Sequence, residues 1–225
     1  MRTLLLVVAT AVALHQIPIR AAESISWGPE ASGLRLGVAV AAASSTGQLR
    51  LAFQNVGTAF AELIDGIVHM ASPVSCAHAD FHSHLHIWLG FYELANPICR
   101  VGANGTWLMA GSDVPQPDLA LRILPERGGQ SRKEGNYFAG APELVIEVGH
   151  TTTSKDAGAK LRLYERSGVR EYIIVCPATK QITWRELVDG KYRENEPDAA
   201  GIFQSSVFPG LWLDTAALSA SQNGG

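Results

Sequence analysis

Positive charge is scarce in this sequence. Its 225 residues carry 18 lysines and arginines against 21 aspartates and glutamates, a formal net charge of −3. That balance excludes a protein that coats nucleic acid non-specifically, because neutralising a run of phosphates takes a surplus of cations. A local grip on a polyanion stays open. Half of the basic residues fall in one stretch (Arg122, Arg127, Arg132, Lys133, Lys155, Lys160, Arg162, Arg166 and Arg170). Cysteine is scarcer still. Cys76, Cys99 and Cys176 show no CxxC spacing and cannot all pair within one chain, which excludes a disulfide framework and a cysteine zinc site. Three buried thiols are the expectation. No GxSxG elbow, Walker loop or GxGxxG followed by an acid occurs, so acyl transfer, nucleotide hydrolysis and dinucleotide binding lack local support. There is no internal repeat, and no apolar run reaches the roughly 20 residues that a membrane-spanning helix needs.

What is present begins with a segment of secretory form. Met1-Arg2, an apolar run over 3–14, a polar break and Ala21-Ala22 make the three parts of an export signal. A buried element or a start codon placed too early is the competing reading. Residues 1–22 are set apart as signal-like, and 23–58 read as a β-rich extension too short to fold alone. Strand-like runs at 34–42 and 48–54 flank the turn-prone Ser44-Ser45-Thr46-Gly47. In the second run Leu49, Leu51 and Phe53 would share one face.

Residues 59–218 form the main domain, followed by a flexible tail at 219–225. Asp65-Gly66 between apolar runs predicts a β-hairpin. Phe81, Leu85, Leu89 and Tyr92 recur at helical spacing over 78–92. Asn104-Gly105 predicts another hairpin turn, 117–123 a strand with two distinct faces, and 124–140 an exposed loop. The β-branched run at 143–148 is a strand. Ser154 caps a helix that runs to about 167 and stops at Gly168, and 171–176 is a second strand ended by Pro177. Strand, helix and strand at this spacing make a βαβ crossover with parallel strands. Further strands are expected at 181–187 and 208–213.

Asp118 begins one strand and Glu147 lies near the end of another, so adjacent strands can bring both carboxylates to one sheet edge. Two such oxygens, with the Val148 carbonyl as a third, suit Mg²⁺ or Mn²⁺. A bound ion of that kind activates water and polarises a phosphoryl oxygen, the requirement of phosphodiester hydrolysis. Asp156, Lys160 and Tyr164 follow at i,i+4 spacing on one helix face, where Lys160 could orient water or stabilise charge on a phosphate. The competing reading is an Asp156–Lys160 surface pair with Tyr164 packed on the sheet. His78, His82 and His86 also recur every four residues, a spacing that can bind zinc, but no HExxH glutamate accompanies them.

The order of these pieces carries more than any one of them. Glu62-Leu63-Ile64-Asp65-Gly66, His78 opening a helix, Gln116-Pro117-Asp118, Ala141-Pro142-Glu143-Leu144-Val145-Ile146-Glu147-Val148, then Asp156, Lys160 and Tyr164, Gly168-Val169-Arg170-Glu171-Tyr172 and Phe208-Pro209-Gly210-Leu211 occur in succession. Together they resemble the Uma-type putative restriction endonuclease family of the PD-(D/E)xK nuclease superfamily. The resemblance implies an α/β fold, a restriction-endonuclease-like central mixed sheet flanked by helices, and a cytoplasmic Mg²⁺- or Mn²⁺-dependent endonuclease whose partner is DNA. Asp118 and Glu147 match the metal-binding acids, and Glu62 a further acid that assists them. The superfamily lysine would stand two positions after the glutamate, where this chain has Gly149; Lys160 is the substitute. Relatives continue Leu-Ser-Pro-Ser-Thr after the Glu-Val pair, while this chain has Gly149-His150-Thr151-Thr152-Thr153. His150 is thus either a fourth ligand or acid, or a solvent-facing loop residue. The departure keeps open a degenerate fold that binds nucleic acid or protein without cutting, and the N-terminus keeps open a secreted fusion. Many nucleases cut duplexes as symmetric dimers, so a homodimer is a further expectation.

Overall fold

The computed structural model describes residues 37–40, 51–54, 61–70, 74–149 and 155–220. The signal-like segment, His150, the Ser154 cap and residues 221–225 lie outside them. The chain divides into two compact units, residues 1–71 and 72–225.

In the first unit β1 (Gly37–Val40) and β2 (Leu51–Gln54) pair antiparallel with Gly37 opposite Gln54, within the two runs expected from the sequence. β3 (Ala61–Ile64) and β4 (Ile67–Met70) form the second hairpin. Asp65 and Gly66 both take positive φ, 51° and 75°, the type I′ geometry whose twist matches that of paired strands. Leu63 and Ile64 are buried.

The second unit opens with α1 (Cys76–Ala95), capped by Ser75, whose Oγ accepts the His78 N–H at 3.2 Å. The next elements are β5 (Cys99–Ala103), β6 (Trp107–Leu108), β7 (Leu119–Ile123), β8 (Arg132–Glu134), β9 (Tyr137–Ala139) and β10 (Leu144–Val148). Then come α2 (Lys155–Ser167), β11 (Glu171–Cys176), β12 (Gln181–Val188), β13 (Lys191–Asn195), β14 (Ile202–Gln204), β15 (Trp212–Asp214) and α3 (Thr215–Ala220). Six strands make a central mixed sheet in the order β13-β12-β11-β10-β7-β5. β10 and β11 run parallel, joined through α2, and the other neighbours are antiparallel. Among the described residues no helix is long and apolar enough to cross a membrane.

Strand alternation divides the sheet into two covered faces. Leu119 and Leu121, Leu144, Ile146 and Val148, Ile173 and Val175, and Trp184 point one way and pack with Phe81, Leu85 and Leu89 of α1. Truncating one of these leucines to alanine costs about 2–5 kcal/mol. The alternate residues meet α2, where the ring of Tyr164 lies 5.0 Å from that of Tyr172. Gly168 ends α2 at φ 84°, and the Val169 N–H closes the last turn on the Tyr164 carbonyl at 3.0 Å.

Four expectations are corrected. Residues 124–140 are not a plain loop: β8 and β9 pair there and join β6 in a three-stranded sheet. Those strands are short and polar, and an aromatic contact made elsewhere in the chain anchors them, Trp107 stacked on Phe138 at 4.5 Å. Asn104-Gly105 turns the chain but joins no paired strands, since β5 pairs with β7 and β6 with β9. A Cβ on residue 105 would sit 3.1 Å from the Phe138 ring, closer than ordinary contact. Cys99 and Cys176 are buried as expected, whereas Cys76 is exposed at the start of α1. Finally, the strand expected at 208–213 spans only Trp212–Asp214, where it pairs with β14. Beyond these, Asp189-Gly190 turns β12 into β13, a strand the sequence hides because Lys-Tyr-Arg-Glu-Asn is the charged pattern of a protected sheet edge.

Candidate functional site

The register between β7 and β10 sets Leu119 opposite Ile146, and one further step puts Asp118 opposite Glu147. Directly opposed residues of an antiparallel pair project to the same face. The juncture is closed by the Val148 N–H, which donates to Asp118 Oδ2 at 2.7 Å. From α1, His78 Nε2 stands 3.5 Å from Asp118 Oδ1. His82 Nε2 lies 3.1 Å from the Asp118 carbonyl, so that imidazole carries its proton on Nε2. Asp118 is thereby held through both carboxylate oxygens and its backbone.

Glu147 is held from the other side by α2. Lys160 Nζ donates to both carboxylate oxygens at 2.9 Å, and the buried Tyr164 hydroxyl donates to Oε1 at 2.6 Å. One helical turn separates Lys160 from Tyr164, so both reach the same strand residue. The Lys160 ammonium goes to Glu147 rather than forming only a surface pair along its own helix. These side chains are neither sealed nor open: exposures are 20% for His78, 18% for Asp118, 17% for Lys160 and 13% for Glu147.

The electrostatics follow from that packing. Burial alone would raise the Asp118 pKa, but the His78 hydrogen bond, the Val148 N–H and the positive charges of His78 and Lys160 outweigh it and hold the carboxyl below its ordinary 3.8. Conversely the Asp118 hydrogen bond, opposed by burial and helped by the charges of Asp118 and Glu147, lifts His78 above 6.5. Two carboxylates, the Lys160 ammonium and the His78 imidazole therefore form one cluster, with Asp118 ionised at neutral pH.

Of the residues singled out by sequence, Asp118, Glu147, Val148, Lys160 and Tyr164 come together. Asp156 lies on α2, one turn before Lys160, but its side chain is outside the described residues, as is His150. Glu62 sits on β3 in the first unit, opposite His69. His78, which belongs to the order of motifs quoted above, and His82 are partners whose role the sequence did not give: both reach Asp118, with their rings stacked at 6.2 Å. The available signal was their position beside the inward-facing Phe81 and Leu85.

Two other buried acids do different work. Glu143 accepts the N–H groups of Ile123 and Gln130 at 2.7 and 2.8 Å. Glu171 accepts the Ser205 hydroxyl at 2.7 Å and the Ser206 N–H at 2.9 Å, and burial pushes its pKa up. Both stand at the starts of β10 and β11, the opposite end from Glu147, and tie loops to the sheet.

Comparison with known proteins bears on the family and the fold. The family described as "Uma2: Putative restriction endonuclease" matches residues 50–216, a span that includes every residue of the cluster. A solved structure from Anabaena variabilis ATCC 29413, described as a putative nuclease belonging to DUF820, superposes with a TM-score of 0.57 at 18% identity, over 72% of this chain and 90% of that one. At that identity the likeness speaks for the fold, a nuclease-like central mixed sheet. None of the curated proteins matches. With the family match spanning most of the chain and the site inside it, this protein belongs to the Uma2 family of putative restriction endonucleases.

Proposed function

We propose that the chain is a divalent-metal-dependent nuclease that hydrolyses phosphodiester bonds in DNA, with Asp118 and Glu147 holding the ion and Lys160 assisting the attack. The observation that carries this reading is the convergence of two carboxylates and an ammonium at one sheet edge, joined by Lys160 Nζ on Glu147 at 2.9 Å. The donor set suits a hard ion. Asp118 and Glu147 offer carboxylate oxygens, and the Val148 carbonyl is a candidate third. Among the described residues no group of three or more His, Cys, Asp or Glu is placed to hold a metal. The two carboxylates suit Mg²⁺ or Mn²⁺, because Mg²⁺ is commonly bound by one or two carboxylates and keeps water in its other positions. When bound, such an ion supplies an acidified water and a polarised phosphoryl oxygen.

The chain's own residues prepare the rest. The Val148 N–H and His78 keep Asp118 ionised and fixed in direction, which makes His78 a positioning residue. Tyr164 and Lys160 fix Glu147, and the Lys160 ammonium stands where it can orient water or offset charge on the scissile phosphate. Arg127, Arg132, Lys133, Arg162 and Arg170 are exposed and supply local attraction for a polyanion despite the acidic total.

The test is cleavage of plasmid and oligonucleotide DNA, with an RNA arm, in the presence and absence of Mn²⁺. Metal-dependent cleavage of DNA is expected, reduced by about 10²-fold or more in Asp118→Ala and Lys160→Ala. Equal residual activity in parent and variants overturns the proposal. A non-cutting binder is the second reading, favoured by Gly149 at the superfamily's lysine position. Calorimetric titration with Mn²⁺ separates the two, since no binding at millimolar metal supports the binder.

A further inference from the structure

The solvent side of α1 departs from what a surface helix should look like. Ile87, Phe91 and Leu94 recur at spacings of four and three on the side turned away from the buried row Phe81, Leu85 and Leu89, and they are 56%, 70% and 82% exposed. Ile98, just beyond the helix, extends the row at 47%. Asp80 and Glu93 are the helix's only acids, and it has no lysine or arginine. From Ile87 onward the helix is apolar on both sides, and such a stretch is normally buried on both. At these exposures the four side chains leave roughly 500 Å² in water, towards the upper end of the patch size that monomers tolerate.

We infer that this face of α1 is the contact between two copies of the chain, paired about a two-fold axis. A row of this kind is complementary to itself, since each apolar side chain can meet the same set on a second copy. Joining two such faces removes about 1,000 Å² in total, the lower bound for a specific interface. Gly90 lies in the same stretch, and a Cβ added there would meet nothing within 4 Å. Among the described residues no contact explains a residue that costs the helix about 1 kcal/mol relative to alanine, whereas close approach of a second helix does. Trp212, 57% exposed, flanks the row, its carbonyl accepting the Trp88 Nε1–H at 2.8 Å. The neighbouring sheet edge is less suited to pairing, because Glu93 Oε2 already takes the Val101 N–H of β5 at 2.8 Å. His78 and His82, which reach the site, lie in the other half of the helix and face inward, so the pairing leaves Asp118 accessible.

Light scattering coupled to size exclusion on the full chain, loaded from about 1 to about 100 μM, reads the association directly. A species of twice the chain mass is expected. Phe91→Glu combined with Leu94→Glu should weaken association by about 100-fold or more while far-UV circular dichroism and the melting temperature stay near the parent's. If that double variant misfolds, the single Leu94→Lys, at the most exposed position of the row, gives the same reading. Tyr137→Glu, on the separate small sheet, should leave the dimer intact. A parent that stays monomeric throughout overturns the inference. So does a dimer that survives Leu94→Lys and the double variant alike.

Discussion

The two ends of β10 carry glutamates with opposite surroundings. Glu143, beside the first residue of the strand, is fully buried and accepts only uncharged donors, the backbone N–H groups of Ile123 and Gln130. Glu147, one residue from the other end, is partly open and meets a lysine ammonium and a tyrosine hydroxyl beside a second carboxylate. Glu171 repeats the first pattern on β11, and Asp118 the second beside β7. A buried acid is therefore not by itself a mark of chemistry. Charged partners together with access to water separate the pair proposed to be functional from the structural pair.

The comparison breaks most visibly in paired substitutions. Asp118→Ala should lower cleavage by about 10²–10³-fold and cost less stability than Glu143→Ala, since it strands one backbone N–H, that of Val148, rather than two. Glu143→Ala should do the reverse. It strands two buried N–H groups at roughly 1–3 kcal/mol each, so chemical denaturation should show a loss of several kcal/mol while the folded fraction keeps its per-molecule activity. If Glu143→Ala removes activity without loss of stability, the division between the two ends fails.

A smaller effect is expected from Tyr164→Phe, which deletes one hydrogen bond to Glu147 and leaves Lys160 in place. Cleavage should fall about 10-fold, read as kcat at saturating Mn²⁺, because a hydrogen bond to a charged group is worth about 1.5–3 kcal/mol. An unchanged kcat would remove Tyr164 from the supporting set.

The smallest difference concerns pH. Asp118 is held below its ordinary 3.8, so its contribution to stability is present above that value and fades as pH falls through the folded pKa. Glu171 is pushed above 4.5, so its contribution is present below that value and is lost as pH rises through the folded pKa. Denaturation of Asp118→Asn and Glu171→Gln between acid and neutral pH should show opposite trends relative to the parent. The asparagine variant should fall further behind as pH rises, and the glutamine variant should gain ground. Parallel trends would mean that the two acids do not differ in the way their partners indicate.

Much of the fold was legible because its signals are local. Asp65-Gly66 specifies a turn with two positive φ values, Gly168 ends its helix, and the apolar runs of β10 and β11 mark strands covered on both faces. The i,i+4 step from Lys160 to Tyr164 was likewise enough to place both on one side of α2. Less was legible where structure comes from distant partners. β8 and β9 are strands of charged and aromatic residues held by Trp107, β13 is a charged edge, and the role of His78 depends on a residue 40 positions away.

Glu143 and Glu147 show where that boundary falls. They belong to one segment, have the same side chain and stand an even number of residues apart, so strand periodicity assigns them to the same face. The sequence by itself determined that strand, its parallel partner β11 and the helix between them, and it allowed β10 to lie beside the strand expected at 117–123. Only the tertiary structure decided that one glutamate would be sealed beneath the 123–130 segment and the other would meet His78's partner Asp118, Lys160 and water. A carboxylate's charge state and reach depend on the donors within about 3 Å of its oxygens, and those donors arrive from parts of the chain that local pattern does not connect.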